Sequence, residues 1–280
     1  MSTVRPAAVA GQFYPADAQA LRATVAQLLQ QAHRTAGAAA DQRPKALIVP
    51  HAGYIYSGLT AAHAYASLTP WADRIRHVLL LGPVHRVPVR GLALPGAAAF
   101  DTPLGRVPLD APLCTALQAL PQVVVAPAAH AAEHSLEVQL PFLQSILGTF
   151  SLVPLAVGDA TPTEVAQVLE MAWGDDDTLI VISSDLSHYL PYADAQRHDR
   201  DTVQRILSLT GPLSHQQACG GTPINGLLPV AQRHGLHPVL LDLCNSGDTA
   251  GDRQRVVGYA SLAFVPAHTT PSTEAEHAIH

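Results

Sequence analysis

ALIVPHAGYIYSG, residues 46–58, is the stretch on which the fold turns. Ala46 to Val49 read as a buried strand, and Pro50 ends it because it has no N–H for a further ladder bond. His51 then sits on a loop opened by Gly53. His77 to Gly82 (HVLLLG) reads as a second buried strand and runs into Gly82-Pro83-Val84-His85. Thr178 to Ser184 (TLIVISS) is a third and runs into Asp185-Leu186-Ser187-His188. Three buried strands each deliver a histidine from the loop at the C-terminal end, the edge where open α/β sheets bind ligands. Strand and helix alternate along the rest of the chain. The expected fold is a single α/β domain: a largely parallel or mixed central sheet with helices on both faces.

The composition fits that reading. Of 280 residues, 48% are hydrophobic and 14% charged, a globular profile. The net charge is −6 and no Lys or Arg run occurs, which argues against a nucleic-acid partner. No apolar run approaches the roughly 20 residues of a membrane span, so no membrane role is expected. The N-terminal MSTVRPAAVAG lacks the apolar core of a signal peptide, so the expected location is cytoplasmic. Three widely spaced cysteines, Cys114, Cys219 and Cys244, suggest no disulfide framework. Histidine stands out: 15, against 16 Lys plus Arg.

Working outward, Asp17 caps a helix with Leu21, Val25, Leu28, Leu29 and Ala32 at helical spacing. Residues 35–44 read as an Ala/Gly/Pro linker. Gly58 to Leu68 reads as an Ala-rich helix and Gly91 to Leu94 as a short strand. Phe100 to Leu109 reads as a hairpin turned at Pro103-Leu104-Gly105, giving the sheet a mixed edge. A short helix over 110–120 and a strand over 123–125 follow. Ser135 caps a helix from 136, kinked or broken at Pro141. Strands over 151–157, 238–243 and 255–265 and helices from 161, over 194–209 and over 224–234 complete a domain of residues 1–265. Residues 266–280, with His268, His277 and His280, have the composition of a tail.

The candidate residues each have two readings. His51 and His85, on loops after adjacent strands, are two corners of a metal site or two loop histidines bonding backbone. In Glu133-His134 the carboxylate orients the imidazole or binds substrate, or the two form a helix-terminal pair. Asp185 and His188 face one cavity for proton transfer, or are a cap and a surface histidine. Cys219-Gly220-Gly221-Thr222-Pro223 enters a helix whose first amides hold an anion, or is an ordinary loop with a buried thiol. In residues 245–252 (NSGDTAGD) one Asp completes a two-His, one-carboxylate set suited to non-haem Fe(II), or the loop is a capped turn.

Together these strings are specific. PHAGYIYSG (50–58), GPVH (82–85), FDTPLG (100–105), EHSLEVQLPFL (133–143), SSDLSHY (183–189), CGGTPI (219–224) and NSGDTAGD (245–252) resemble the Memo family, in prokaryotes the AmmeMemoRadiSam system protein B. The match runs from QFYP (12–15) to VGYASLAF (257–264). That family is similar in fold to class III extradiol dioxygenases of the LigB type. The resemblance implies an iron-class pocket lined by His51, His85 and His188 with Asp185 beside them, and acid/base roles for His134 and His188. Metal-binding eukaryotic members carry a Cys ligand in the loop matching 245–252. Here Asp248-Thr249 stand there and Cys244 precedes the loop, so on charge and reach Asp248 takes the ligand's place.

The expected assignments are therefore His51, His85 and Asp248 on the metal, His188, Asp185 and His134 in catalysis, and Tyr54, Glu133 and Cys219 on substrate. Fe(II) is the expected metal, with copper and zinc as alternatives. The leading expectation is a dioxygenase-like oxidoreductase acting on a small molecule. A non-catalytic metal- or phospho-ligand-binding module and a zinc-dependent hydrolase are the rivals. Family association implies AMMECR-type and radical-SAM partner proteins.

Overall fold

The run Ala46–Val49 divides its side chains between two cores. Leu47 and Val49 join one buried cluster, Ala46 and Ile48 the other. This is the period-2 alternation of a strand covered on both faces. The structure is a computed structural model and describes residues 3–35 and 42–267. Most of the expected linker at 35–44, and all but the first two residues of the expected tail, lie outside the described residues.

The first half contains β1 (Val4–Arg5), α1 (Ala18–Thr35), β2 (Ala46–Val49), α2 (Tyr54–Ala66), β3 (His77–Pro83), β4 (Leu92–Leu94), β5 (Ala99–Thr102) and β6 (Gly105–Pro108). Next come α3 (Ala111–Leu117), β7 (Val123–Val125), α4 (Pro127–Ala131), α5 (Leu140–Ile146), β8 (Ser151–Val157) and α6 (Pro162–Met171). The chain closes with β9 (Thr178–Ser183), β10 (His188–Leu190), α7 (Tyr192–Leu207), α8 (Gly221–Arg233), β11 (Leu236–Asn245) and β12 (Val256–Pro266).

Among the described residues, the main sheet has nine strands with a parallel centre, β2-β9-β3-β8. Antiparallel β12 flanks β2 and carries β11 and β10, while β4 pairs antiparallel with β8 and holds β7 at the far edge. Leu21 and Val25 of α1, Ala62 and Tyr65 of α2 and Phe142 of α5 cover one face. Val165 and Leu169 of α6, Val203 and Ile206 of α7 and Ile224 and Leu227 of α8 cover the other. The mixed sheet between two helical layers is the expected α/β fold. No described helix is long and apolar enough to cross a membrane.

Several local expectations are corrected. The hairpin forms, but β5 pairs with β1, so β1, β5 and β6 make a separate three-stranded sheet instead of an edge of the main one. α2 starts at Tyr54, four residues before the expected Gly58, with no side-chain cap to mark it. Ser135 does not cap a helix; its hydroxyl donates to the Pro83 carbonyl at 2.8 Å. A 3-10 turn, Glu137–Gln139, leads into α5, and Pro141 falls in the first helical turn, where its missing N–H costs nothing. α4 and β10 had no counterpart in the sequence reading. The strands bearing His51 and His85 are not adjacent either: β9 lies between them.

Candidate metal centre

In the parallel centre, Val49 of β2 is level with Ser183 of β9, and Leu81 of β3 with Ile182. The three strands therefore end together and place His51, Asp185 and His85 along one edge. The loop after α4 adds His134. Each of His51, His85 and His134 offers a ring nitrogen, and the three atoms lie within 4.8 Å of one another. The ring centroids are 5.2 Å (51–85), 5.4 Å (51–134) and 4.6 Å (85–134) apart.

Hydrogen bonds set which nitrogen His51 and His85 present. His51 Nδ1 is 2.9 Å from Ser183 Oγ. That hydroxyl donates to the Ser135 carbonyl at 2.6 Å and accepts from Gln139 Nε2 at 2.8 Å. Its one proton is spoken for, so His51 must donate from Nδ1 and Nε2 keeps its lone pair. His85 Nδ1 lies 2.9 Å from Glu133 Oε1, leaving Nε2 free. This carboxylate-to-imidazole bond is how metal-binding histidines are commonly oriented.

Glu133 is the organiser of the loop. Besides His85 Nδ1, it accepts the His85 amide at 2.5 Å and the His134 and Ser135 amides at 2.9 Å each. Burial raises its pKa, but the His85 and Ser135 hydrogen bonds outweigh that and hold it at about 2. The carboxylate is buried and faces His85, not open space, so the structure does not place it as a substrate contact.

Burial likewise favours the neutral form of two of the rings, His51 and His134. His51 titrates well below the ordinary range through desolvation and then its histidine neighbours. Desolvation lowers His134 to about 4. Its Nδ1 lies 3.3 Å from Glu133 Oε1 yet is buried without a hydrogen bond. Three imidazoles converging from three loops, one with an orphaned nitrogen, suit a first-row metal such as zinc, copper or iron.

The neighbours complete the site. Asp185 Oδ1 accepts the His51 amide at 2.7 Å, and Oδ2 stands 4.0 Å from His51 Nε2. Burial pushes its pKa up to about 7. Cys219 Sγ is 3.3 Å from His51 Nε2, and burial, with Asp185 adding to it, pushes the thiol up to about 12. The thiol can donate a hydrogen bond to the His51 lone pair. His188 Nδ1 donates to the Leu186 carbonyl at 2.9 Å, so its Nε2 is the basic nitrogen. His188, His134 and Asp185 line an open cleft of about 630 Å³, together with Phe13, Tyr56, Tyr189 and Arg255.

Two expected residues are placed elsewhere. Asp248 does not meet the histidines: Tyr192 OH donates to one oxygen and the Asn245 amide to the other, at 3.0 Å, in a capped 3-10 turn. Its local hydrogen bonds outcompete a reach toward the strand ends. Tyr54 is buried; its hydroxyl donates to the Val138 carbonyl at 2.7 Å and its ring packs on Phe142. Tyr56, two residues on, lines the cleft instead. Cys244 contacts Thr60 Oγ1 at 3.1 Å and is not in the cluster.

Ser183, Gln139 and Glu137 were missed. Glu137, fully buried, pairs with Arg5 and accepts from Tyr14 OH at 2.5 Å and the Val9 amide at 3.0 Å. Gln139 Nε2 also donates to the Pro50 carbonyl at 3.0 Å. A signal existed: Glu133, Ser135, Glu137 and Gln139 alternate with Leu136, Val138 and Leu140, an unusual polar stripe in an apolar segment.

Fold and site define an α/β protein whose parallel strands and one inserted loop gather a three-histidine cluster able to hold a metal. The sequence profile of the Memo-like protein family matches residues 5–263, and the chain belongs to that family. A MEMO1 family protein of Archaeoglobus fulgidus is 36% identical over 273 residues, covering 91% of this chain and 97% of its own. One from Aquifex aeolicus is 35% identical over 275 residues, covering 94% and 99%. In fold, the chain is similar to the crystal structure of an uncharacterized Escherichia coli K12 protein, with TM-score 0.51 and 15% identity over 79% of this chain and 99% of that one.

Proposed function

We propose that this protein is a cytoplasmic metal-dependent oxidoreductase with a non-haem, iron-class centre, acting on a small molecule bound in the cleft. The observation that carries the reading is the convergence of His51, His85 and His134 beside an open cleft. Fe(II) would supply one-electron chemistry and leave coordination positions open. His51, His85 and His134 hold it, with His134 replacing Asp248 as third ligand. Asp185, 4.0 Å from His51 Nε2, adds a carboxyl group beside the three imidazoles. His188 Nε2 takes a proton from the bound molecule. Phe13 packs on His134, with ring centroids 4.6 Å apart, and keeps water from that side. The likeness to extradiol dioxygenases and an association with AMMECR-type and radical-SAM proteins belong to this proposal.

Zinc-dependent hydrolysis is the second reading, and one observation favours it: an all-imidazole donor set is also that of a catalytic zinc site. Metal analysis after anaerobic purification, with oxygen uptake measured on the loaded protein, separates the two. Stoichiometric iron and substrate-dependent uptake are expected. Stoichiometric zinc without uptake would move the assignment to hydrolysis. Absence of any bound first-row metal would leave a binding module.

A further inference from the structure

Among the described residues lining the cleft, Arg255 is the single Lys or Arg. Its guanidinium carbon sits 5.0 Å from the centroid of the Tyr189 ring. No described carboxylate pairs with it. The nearest in sequence, Asp252, spends Oδ1 on the Gln254 amide at 2.8 Å and the Arg255 amide at 3.2 Å. The loop acid thus holds the backbone of Arg255 and leaves the fork unneutralised.

Tyr189 carries a second, independent observation. It follows His188, is mostly exposed, and has φ of 61°. A tyrosine in the left-handed region is strained, and such strain concentrates where a fold holds a side chain for binding. Here it presents the ring that supports Arg255.

We propose that Arg255, held on Tyr189, is the specificity determinant of the cleft and selects a small molecule carrying a single carboxylate. A planar carboxylate matches the two parallel N–H groups of a guanidinium. Asp185 and Asp252 line the same cleft, so one cation among two carboxyl groups suits a monoanion better than a phosphate dianion. The rest of the ligand meets Phe13, Tyr56 and Tyr259, and the volume of about 630 Å³ fits an organic acid of modest size. This assignment rests on the cleft being the substrate site of the metal centre, but Arg255 does its part without the metal.

Ligand-observed NMR titrations of metal-free protein with benzoate, benzamide and phenyl phosphate test it. Wild type is expected to bind benzoate about tenfold or more tighter than its neutral isostere benzamide, as for a charge-assisted pair. Arg255→Gln should abolish that preference, and Tyr189→Asn, which tolerates positive φ but removes the ring, should weaken it several-fold. Equal binding of benzoate and benzamide, or a preference that survives in Arg255→Gln, overturns the proposal. Tighter binding of phenyl phosphate overturns the choice of carboxylate. Metal content measured on parallel loaded samples keeps the two readings apart: an Arg255-dependent preference in a protein that takes up no metal supports the anion site and sinks the metal centre.

Discussion

Ser183 decides which face of the His51 ring points into the cluster. Its hydroxyl, 2.9 Å from His51 Nδ1, already donates to the Ser135 carbonyl, so it can only accept from the ring. Ser183→Ala removes that acceptor and frees the tautomer. Metal affinity should fall by about 10–100-fold, the usual effect of losing an outer hydrogen bond to a metal-binding histidine. An anaerobic chelator-competition titration reads it, and unchanged affinity would discard the tautomer argument.

The ligand set separates by substitution. His51→Ala, His85→Ala and His134→Ala should each cut bound metal well beyond that range, while Asp248→Asn keeps it. Circular dichroism should stay native for the three alanine variants, whose side chains sit on loops. Metal loss in Asp248→Asn alone would restore the carboxylate assignment.

His188 is expected to act without ligating. His188→Asn should retain the metal and lower turnover by about 10²–10⁴-fold, the range for a general acid or base. If metal content drops in parallel, His188 is a ligand.

Gly258 has a packing requirement. A Cβ there would stand 2.0 Å from Asp199 Oδ2, and Asp199 accepts the Ser187 amide at 3.0 Å. Gly258→Ala should destabilise the fold by about 1–3 kcal/mol and disturb the 185–188 loop. Denaturant unfolding, with the imidazole resonances of His188 as a local probe, checks both effects.

Buried His130 makes stability depend on pH. Its Nε2 is 2.7 Å from the Ala93 carbonyl, and its Nδ1 has no partner. Burial lowers its pKa from 6.5 to about 4. The unfolded chain therefore binds the proton first as pH falls. Stability is full above pH 6.5 and is lost on acidification toward pH 4. Between pH 7 and pH 5 the loss from this group is about 2 kcal/mol. His130→Gln keeps a donor for Ala93 and should flatten the profile by that amount in denaturant titrations.

Strands were the most legible part of the fold. Ala46–Val49 and Val123–Val125 have the predicted bounds, because short apolar runs between Pro, Gly and polar residues leave few other choices. The Asp17 cap was legible too: its carboxylate accepts the Ala20 amide at 2.8 Å. The start of α2 was not, since Gly53 offers no capping side chain. Of the site, the sequence pointed to His51, His85, His134, Asp185, His188 and Cys219, and the structure brings all six to one strand edge or its cleft.

The sequence by itself determined the family, the two-faced sheet and the histidines at strand ends, because those depend on local periodicity and on short motifs. Only the tertiary structure decided that β9 lies between the His51 and His85 strands, that His134 joins them, and that Asp248 does not. Those outcomes depend on strand order and on competition for hydrogen bonds between residues far apart in the chain. Glu133, 48 residues from His85, binds it because the fold brings it there. Asp248, three residues from Asn245, caps its own turn because that partner is always within reach.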